Sequence, residues 1–290
     1  MERKIDEMIM IDRESSLYPD RLKEINEAPV RLWLEGRAEL LERRAIAVVG
    51  SRKATAYGRT VAAKLGKRAA ECGVVLVSGM AYGIDGEAQQ AAVDAGGDVI
   101  AVLGGGADVC YPKGNERLYH RIKENGLIVS EQPPGTLPMR FMFPQRNRII
   151  SALAEVVVVV EAGIRSGAGI TAEHAADQGR AIFAVPGDIF RHESMGTNSL
   201  IKDGAMIMAN VDDPFVYMDV NRPGIDSVME SLGEDEKIIV SIVMEKGERT
   251  MDQLVMESGL RTDIVSRVVS ILEMKGVLVT NMGRVFLDII

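Results

Sequence analysis

The chain has 290 residues, 47% of them hydrophobic and 26% charged, which is room for one large domain and a small one. Its formal net charge of -8 and pI near 5.1 argue against a protein that wraps duplex DNA by bulk electrostatics. No apolar run approaches the ~18–20 residues of a membrane helix, and the charged start Met1-Glu2-Arg3-Lys4-Ile5-Asp6-Glu7 lacks a signal-peptide core, so a cytoplasmic protein without membrane contact is expected.

Residues 1–43 read as a short lead-in. From residue 44 to 222 the chain alternates apolar runs with helical stretches. Ala45–Val49 predicts a strand, followed by a helix from about Arg59 to Glu71. Val74–Val77 is a strand before a helix over Gly86–Asp94. Val99–Leu103 is a strand, Asn115–Lys123 a short helix and Leu127–Val129 a further strand. Val156–Val160, the most apolar run, precedes a helix from about Thr171 to Gln178 and a strand at Ala181–Val185. The last of these runs is as easily core as interface. Alternation of this regularity implies an α/β fold, a parallel sheet covered by helices on both faces. Ligands of such sheets bind at the carboxyl ends of the strands.

Those strand ends run into glycine: Gly50-Ser51-Arg52, Ser78-Gly79 through Gly83-Ile84-Asp85, Gly104-Gly105-Gly106, and Glu161 through Ser166-Gly167-Ala168-Gly169-Ile170-Thr171. Glycine lets a ligand approach the backbone, and a loop that opens a helix offers unpaired N–H groups to an anion. Four such loops on one edge, with Arg52 at the first, predict a phosphate-binding rim. The spacing Gly50 to Gly58 is not GxGxxG, and no Gly-Lys-Ser/Thr stands where a phosphate-binding lysine loop needs it. Neither a bound dinucleotide nor ATP hydrolysis is expected, and no cofactor.

The segment from Arg140 through Phe143-Pro144-Gln145-Arg146-Asn147-Arg148 places three guanidinium groups and the Phe143 ring within nine residues. Guanidinium forks grip phosphate, and an aromatic face stacks on an unpaired base. The plainer alternative is a helix start whose arginines pair with local carboxylates. Charge by segment is net -3 over 1–43, zero over 44–222 and -5 over 223–290, so a nucleic-acid site must be a local cluster in the middle segment. Cys72 and Cys110 are read as free thiols, and His120, His174 and His192 lack metal-ligand spacing and are read as structural.

Asn221-Arg222-Pro223-Gly224 is a turn-rich break, extended by Ser231-Leu232-Gly233, and 231–290 read as a second domain. Glu234–Glu245 is amphipathic, with Ile238, Ile239, Ile242 and Val243 on one face. Thr250-Met251-Asp252-Gln253 has capping-box form and opens a helix ending near Gly259. Thr262 is expected to cap a third helix to Lys275, and Val277–Asn281 and Arg284–Asp288 flank a Met282-Gly283 hairpin. Three helices and a hairpin describe a winged helix. Its third helix carries only Arg267 and Lys275 as basic residues, beside Asp263 and Glu273, so a protein-contact or structural role is expected rather than DNA reading.

The ordered blocks carry a family resemblance. They run from Tyr18-Pro19 through Val49-Gly50-Ser51-Arg52, Ser78-Gly79, Gly83-Ile84-Asp85, Gly104, Asp108, Tyr111-Pro112 and Ser130-Glu131. They continue through Phe143-Pro144, Arg146-Asn147-Arg148-Ile149-Ile150-Ser151, Glu161-Ala162, Ser166-Gly167, Pro186-Gly187 and Gly196-Thr197-Asn198. The chain resembles the DNA-processing protein A family, also called DprA or Smf. The resemblance implies an extended Rossmann-like core that binds single-stranded DNA, a homodimer joined through that core, and no established catalytic activity. It implies a recombination mediator in natural transformation that protects incoming single strands and helps load the strand-exchange recombinase. By the same resemblance Arg52 contacts phosphate, Arg140 lies in the same pocket, and Phe143 stacks on a base. Ser51, Gly79, Asn147, Ser166 and Gly167 would supply donors, and Arg146 and Arg148 charge, unless either braces its loop through ion pairs. With only about 43 residues ahead of the core, the helical N-terminal module of many members is expected to be truncated or absent. Glycines in the Ser166–Thr171 loop, where the family usually has a larger residue, imply a looser rim.

Two rival readings share the pocket. Gly169-Ile170-Thr171-Ala172-Glu173 is similar to the loop of nucleotide-processing phosphoribohydrolases, with Glu173 assisting loss of a base; alternatively Glu173 only compensates a helix dipole. The other rival is a nucleotide sensor signalling through the acidic tail.

Overall fold

The computed structural model describes residues 8–220, 229 and 231–287. The chain divides into two compact units, 1–220 and 221–290. The break at Asn221–Gly224 lies outside the described residues.

The large unit is built on a nine-stranded sheet. Its strands in chain order are β1 (Ile9–Asp12), β2 (Arg31–Gly36), β3 (Ala45–Val49), β4 (Val75–Ser78), β5 (Val99–Leu103), β6 (Leu127–Ser130), β7 (Val156–Val159), β8 (Ala181–Ala184) and β9 (Met206–Ile207). They lie side by side in the order β1-β2-β6-β5-β4-β3-β7-β8-β9. Strands β3 to β9 pair in parallel, and β2 joins β6, and β1 joins β2, antiparallel. The lead-in is therefore part of the sheet. Its strands escape a search for apolar runs because a half-exposed strand buries few residues: in β1, at the edge of the sheet, only Ile11 is buried.

The helices are α1 (Asp20–Lys23), α2 (Ala56–Glu71), α3 (Ile84–Asp94), α4 (Glu116–Asn125), α5 (Met142–Leu153), α6 (Gly167–Asp177), α7 (His192–Lys202) and α8 (Asp213–Tyr217). Successive strand residues alternate faces. Ala45, Ala47 and Val49 of β3 thus join one core with the apolar residues of α5 and α6, and Ile46 and Val48 join the other with those of α2, α3 and α4. The run Ile182–Val185 belongs to these cores, with Phe183, Ala184 and Val185 buried. Both cysteines are free thiols, and among the described residues no cluster of histidine, cysteine or carboxylates is arranged for a metal. Among those residues no helix is long and apolar enough to cross a membrane.

The small unit packs α9 (Glu234–Lys246), α10 (Met251–Ser258) and α11 (Thr262–Met274) against a three-stranded sheet of β10 (Arg249–Thr250), β11 (Leu278–Asn281) and β12 (Arg284–Leu287), the elements of a winged helix. The Thr250 hydroxyl accepts from the Gln253 amide and the Gln253 side chain accepts from the Thr250 amide, so the capping box forms. Two details differ from expectation. Arg261, not Thr262, is the cap residue of α11, and Val240 replaces Ile238 on the buried face of α9 beside Ile239 and Val243. Ile238 is turned outward because a helix stripe drifts around its axis, and five apolar residues in the six positions 238–243 exceed one face.

Candidate functional site

A cleft of about 1190 Å³ opens at the carboxyl ends of the parallel strands. Its floor is the end of β3 and the loop after it, Val49 to Lys53, with Ala81 from the loop after β4 and Asp85 from the first turn of α3. One side is the start of α5, with Arg140, Phe143, Arg146 and Asn147. The other is the loop after β7, Gly163 to Gly167, and the first residues of α7, His192 and Glu193.

The loop after β3 is held by a buried carboxylate. Glu161, at the end of β7, accepts from the Thr55 amide at 2.9 Å and from the Thr55 hydroxyl. The same hydroxyl caps α2 by accepting from Gly58 at 3.1 Å. The Ser51 hydroxyl accepts from the Lys53 amide at 3.1 Å, which turns the loop outward. Arg52 leaves this loop exposed and lies over the Phe143 ring, its guanidinium carbon 5.0 Å from the ring centroid. Tyr111 stands next to Phe143, with ring centroids 5.5 Å apart and planes tilted by 32°. The two rings and the guanidinium form a half-exposed stack at one end of the cleft.

Arg140, Lys53 and Arg165 are also exposed and line the cleft. Among the described residues none of these, nor Arg52, forms an ion pair with a carboxylate, so four cationic groups remain available to an anion. At the start of α6 the Ser166 hydroxyl accepts from Gly169 at 3.2 Å, which leaves the first amides of the helix, at Gly167 and Ala168, open to an anion. Asn147 ties the two sides together, its side-chain amide donating to the Gly167 carbonyl at 3.0 Å.

Three sequence-predicted residues behave differently from free donors. Arg146 touches the cleft but is buried, donating to the carbonyls of Gly79 (2.8 Å) and Val102 and, through Nε, to Asn147 at 3.0 Å. Burial pulls its guanidinium down to about 10, opposed by the Asp85 carboxylate, so it stays charged at neutral pH. Burial in turn pushes the Asp85 carboxyl up, against the pull of Arg146 and the Gly79 amide. Arg146 is thus a fixed positive charge beneath the cleft. Gly79 offers no donor, since its amide already reaches Asp85 at 3.2 Å; what it provides is space, because a Cβ there would collide with the Arg146 guanidinium. Arg148 does not line the cleft. It donates to the Glu27 carbonyl (3.0 Å), the Gln145 carbonyl (3.0 Å) and the Glu131 carboxylate (2.7 Å), and braces α5 against the lead-in.

The third glycine loop also departs from expectation. Gly104, Gly105 and Gly106 are buried, and Phe143 and Pro138 pack directly on the first two. This loop seats the aromatic end and lies outside the cleft lining. Glu173 lies in the second turn of α6, exposed and outside the cleft lining.

Sequence reasoning gave Lys53, Tyr111 and Arg165 no role in the site and read His192 as structural, yet all four line the cleft. Lys53 and Arg165 were legible as cations inside glycine loops already singled out. Nothing local marks His192, which reaches the cleft because the Ala162 amide donates to the Glu193 carbonyl at 2.8 Å and the Gly196 amide to the Ala162 carbonyl at 2.7 Å.

With this geometry in view, the comparisons are direct. Residues 9–219 match the family described as DNA recombination-mediator protein A. The chain belongs to that family. The DNA processing protein DprA of Streptococcus pneumoniae (strain ATCC BAA-255 / R6) is 45% identical over 196 residues, covering 68% of this chain and 69% of the relative. The X-ray structure of DprA from Streptococcus pneumoniae superposes with a TM-score of 0.70 at 41% identity, over 75% of this chain and 76% of that one. A Helicobacter pylori DNA processing protein A, whose structure is described for its single-stranded DNA binding mode, gives a TM-score of 0.67 at 28% identity, over 74% of this chain and 97% of its own. The matched span of this family member includes the lead-in strands and the whole cleft.

Proposed function

We propose that this chain binds single-stranded DNA in the cleft and acts as a recombination mediator without turning its ligand over. The observation that carries the reading is the pairing of Phe143 and Tyr111 with four unpaired cationic groups, Arg52, Lys53, Arg140 and Arg165, in one cleft. The cations follow a phosphate backbone, with Ser51, Asn147, Ser166 and the Gly167 amide as neutral partners and Arg146 as a buried charge beneath. Phe143 stacks on a base, an interaction worth about 1–3 kcal/mol per base. An unpaired base face is hidden inside a duplex, so single strands win over duplexes.

The same reading extends to the cell. The protein works in the cytoplasm as a homodimer, protects incoming single strands during natural transformation and hands them to the strand-exchange recombinase. A dimer through the core is supported by the short strand β9 at the edge of the sheet, whose Ile207 is exposed, and by the exposed Val216 and Tyr217 of α8.

The test is binding of fluorescent poly-dT and a matched duplex across a salt series. Tighter binding of the single strand by about 10-fold or more at each salt concentration is expected from one or two stacked bases. Equal affinity for the two forms overturns the reading. Stimulation of recombinase-driven strand exchange on protein-coated single strands checks the mediator step.

A further inference from the structure

One cation of the cleft, Arg165, stands apart from the aromatic stack that Arg52 joins. Phe143 rests on Gly104 at the end of β5, whereas Arg165 leaves the loop after β7. In the sheet order β5-β4-β3-β7 these ends are three strand spacings apart, roughly 14 Å at ~4.8 Å per spacing. A stacked strand advances ~3.4 Å per nucleotide, so this distance corresponds to about four nucleotides, fewer if the strand is stretched. The far end has its own architecture. The His192 ring packs against Gly163 with its Cε1 foremost, where a Cβ would collide with it, and it lines the same cleft as Arg165. Among the described residues that line the cleft, the phenylalanine and the tyrosine, Phe143 and Tyr111, both stand at the other end. Arg165 and His192 are exposed, and among the described residues neither pairs with a carboxylate.

We infer that Arg165 and His192 form a second phosphate subsite, which grips the backbone of a single strand several nucleotides from the base stacked on Phe143. This rests on the single-strand reading above. The guanidinium fork of Arg165 and an imidazole N–H of His192 donate to phosphate oxygens. The cleft then has two unlike ends, a stacking end that holds a base and a backbone end that holds only charge. A mononucleotide fills the first and cannot reach the second.

The experiment compares wild type with Arg165→Ala/His192→Ala, using dTMP and oligo-dT from about 4 to about 20 nucleotides over a salt series. Lys64→Ala, an exposed cation on α2 outside the cleft, controls for a change in bulk charge. Thermal melts confirm that both variants fold, and Arg165→Ala/His192→Gln repeats the test with a polar side chain kept. The double variant is expected to bind the longest oligo-dT about 10-fold more weakly, with a salt slope shallower by about 0.7 for each phosphate it no longer neutralises. Its affinity for dTMP should equal that of wild type, and Lys64→Ala should leave every value in place. An unchanged length dependence and salt slope in the double variant overturns the subsite while leaving the single-strand reading intact. Equal losses in the double variant and Lys64→Ala also overturn it, since the effect is then bulk charge. Failure of wild type to bind any oligo-dT defeats the single-strand reading itself.

Discussion

The cleft of the large unit and the surface of the small unit both carry lysines and arginines, and they use them in opposite ways. In the small unit Lys246 and Arg249 share Glu257 at 3.3 and 3.2 Å, Arg261 meets Asp263 at 3.0 Å, Lys275 meets Glu236 at 2.7 Å, Lys237 reaches Glu234 at 3.8 Å, and Arg284 pairs with Glu248. Of its basic residues only Arg267 lacks such a pair among the described residues. In the cleft Arg52, Lys53, Arg140 and Arg165 have none. A cation already facing a carboxylate must give up that partner before it can neutralise a phosphate, whereas a free one releases only water and counterions. The number of basic residues therefore says little about where an anion binds; what their neighbours are says more. The acidic balance of the small unit and its satisfied cations fit a protein-contact or structural role.

The contrast can be broken where it is sharpest. Beneath the cleft Arg146 depends on a single carboxylate, so Asp85→Asn should leave a buried charge uncompensated and cost about 3–5 kcal/mol, read as a lowered thermal midpoint. An unchanged midpoint would mean that the carbonyls of Gly79 and Val102 suffice. Arg52→Ala with Phe143→Ala removes a phosphate partner and the stacking ring, and poly-dT affinity should fall by about 100-fold with the fold intact. A loss under about 3-fold would place the strand elsewhere.

Two further experiments probe the satisfied side. Neutralising Arg249 and Arg284 to Gln should change poly-dT affinity by less than about 2-fold, because both already face carboxylates. A large loss there would make the small unit part of the DNA surface. The smallest effect concerns pH. The Lys275 ammonium holds the Glu236 carboxyl below the usual carboxylate range. A depressed carboxyl contributes stability that is present above its unfolded pKa, ~4.3, and is lost as pH falls through the lower folded value. Glu236→Gln should therefore lower the stability of the small unit slightly at pH 7, by under about 1 kcal/mol, and make no difference near pH 2. An equal penalty at both pH values would assign the effect to packing.

Much of this molecule could be read from its residues alone. The apolar runs of β3, β5 and β7, buried throughout and separated by helices, specify a parallel sheet because only strands covered on both faces lack polar alternation. The glycines at strand ends, the Arg140–Arg148 segment and the capping box at Thr250 are likewise local. The lead-in strands β1 and β2 and helix α7 were not legible, since their half-exposed patterns carry no long apolar signal. What only the tertiary structure decided is which arginines are free. Arg146 and Arg148 stand two residues apart on one helix, yet their partners lie 67 and 121 residues away at Gly79 and Glu27. A guanidinium looks the same in sequence whether it faces solvent or a distant carbonyl, and its availability to a phosphate is settled only when the chain has brought that carbonyl within hydrogen-bond reach.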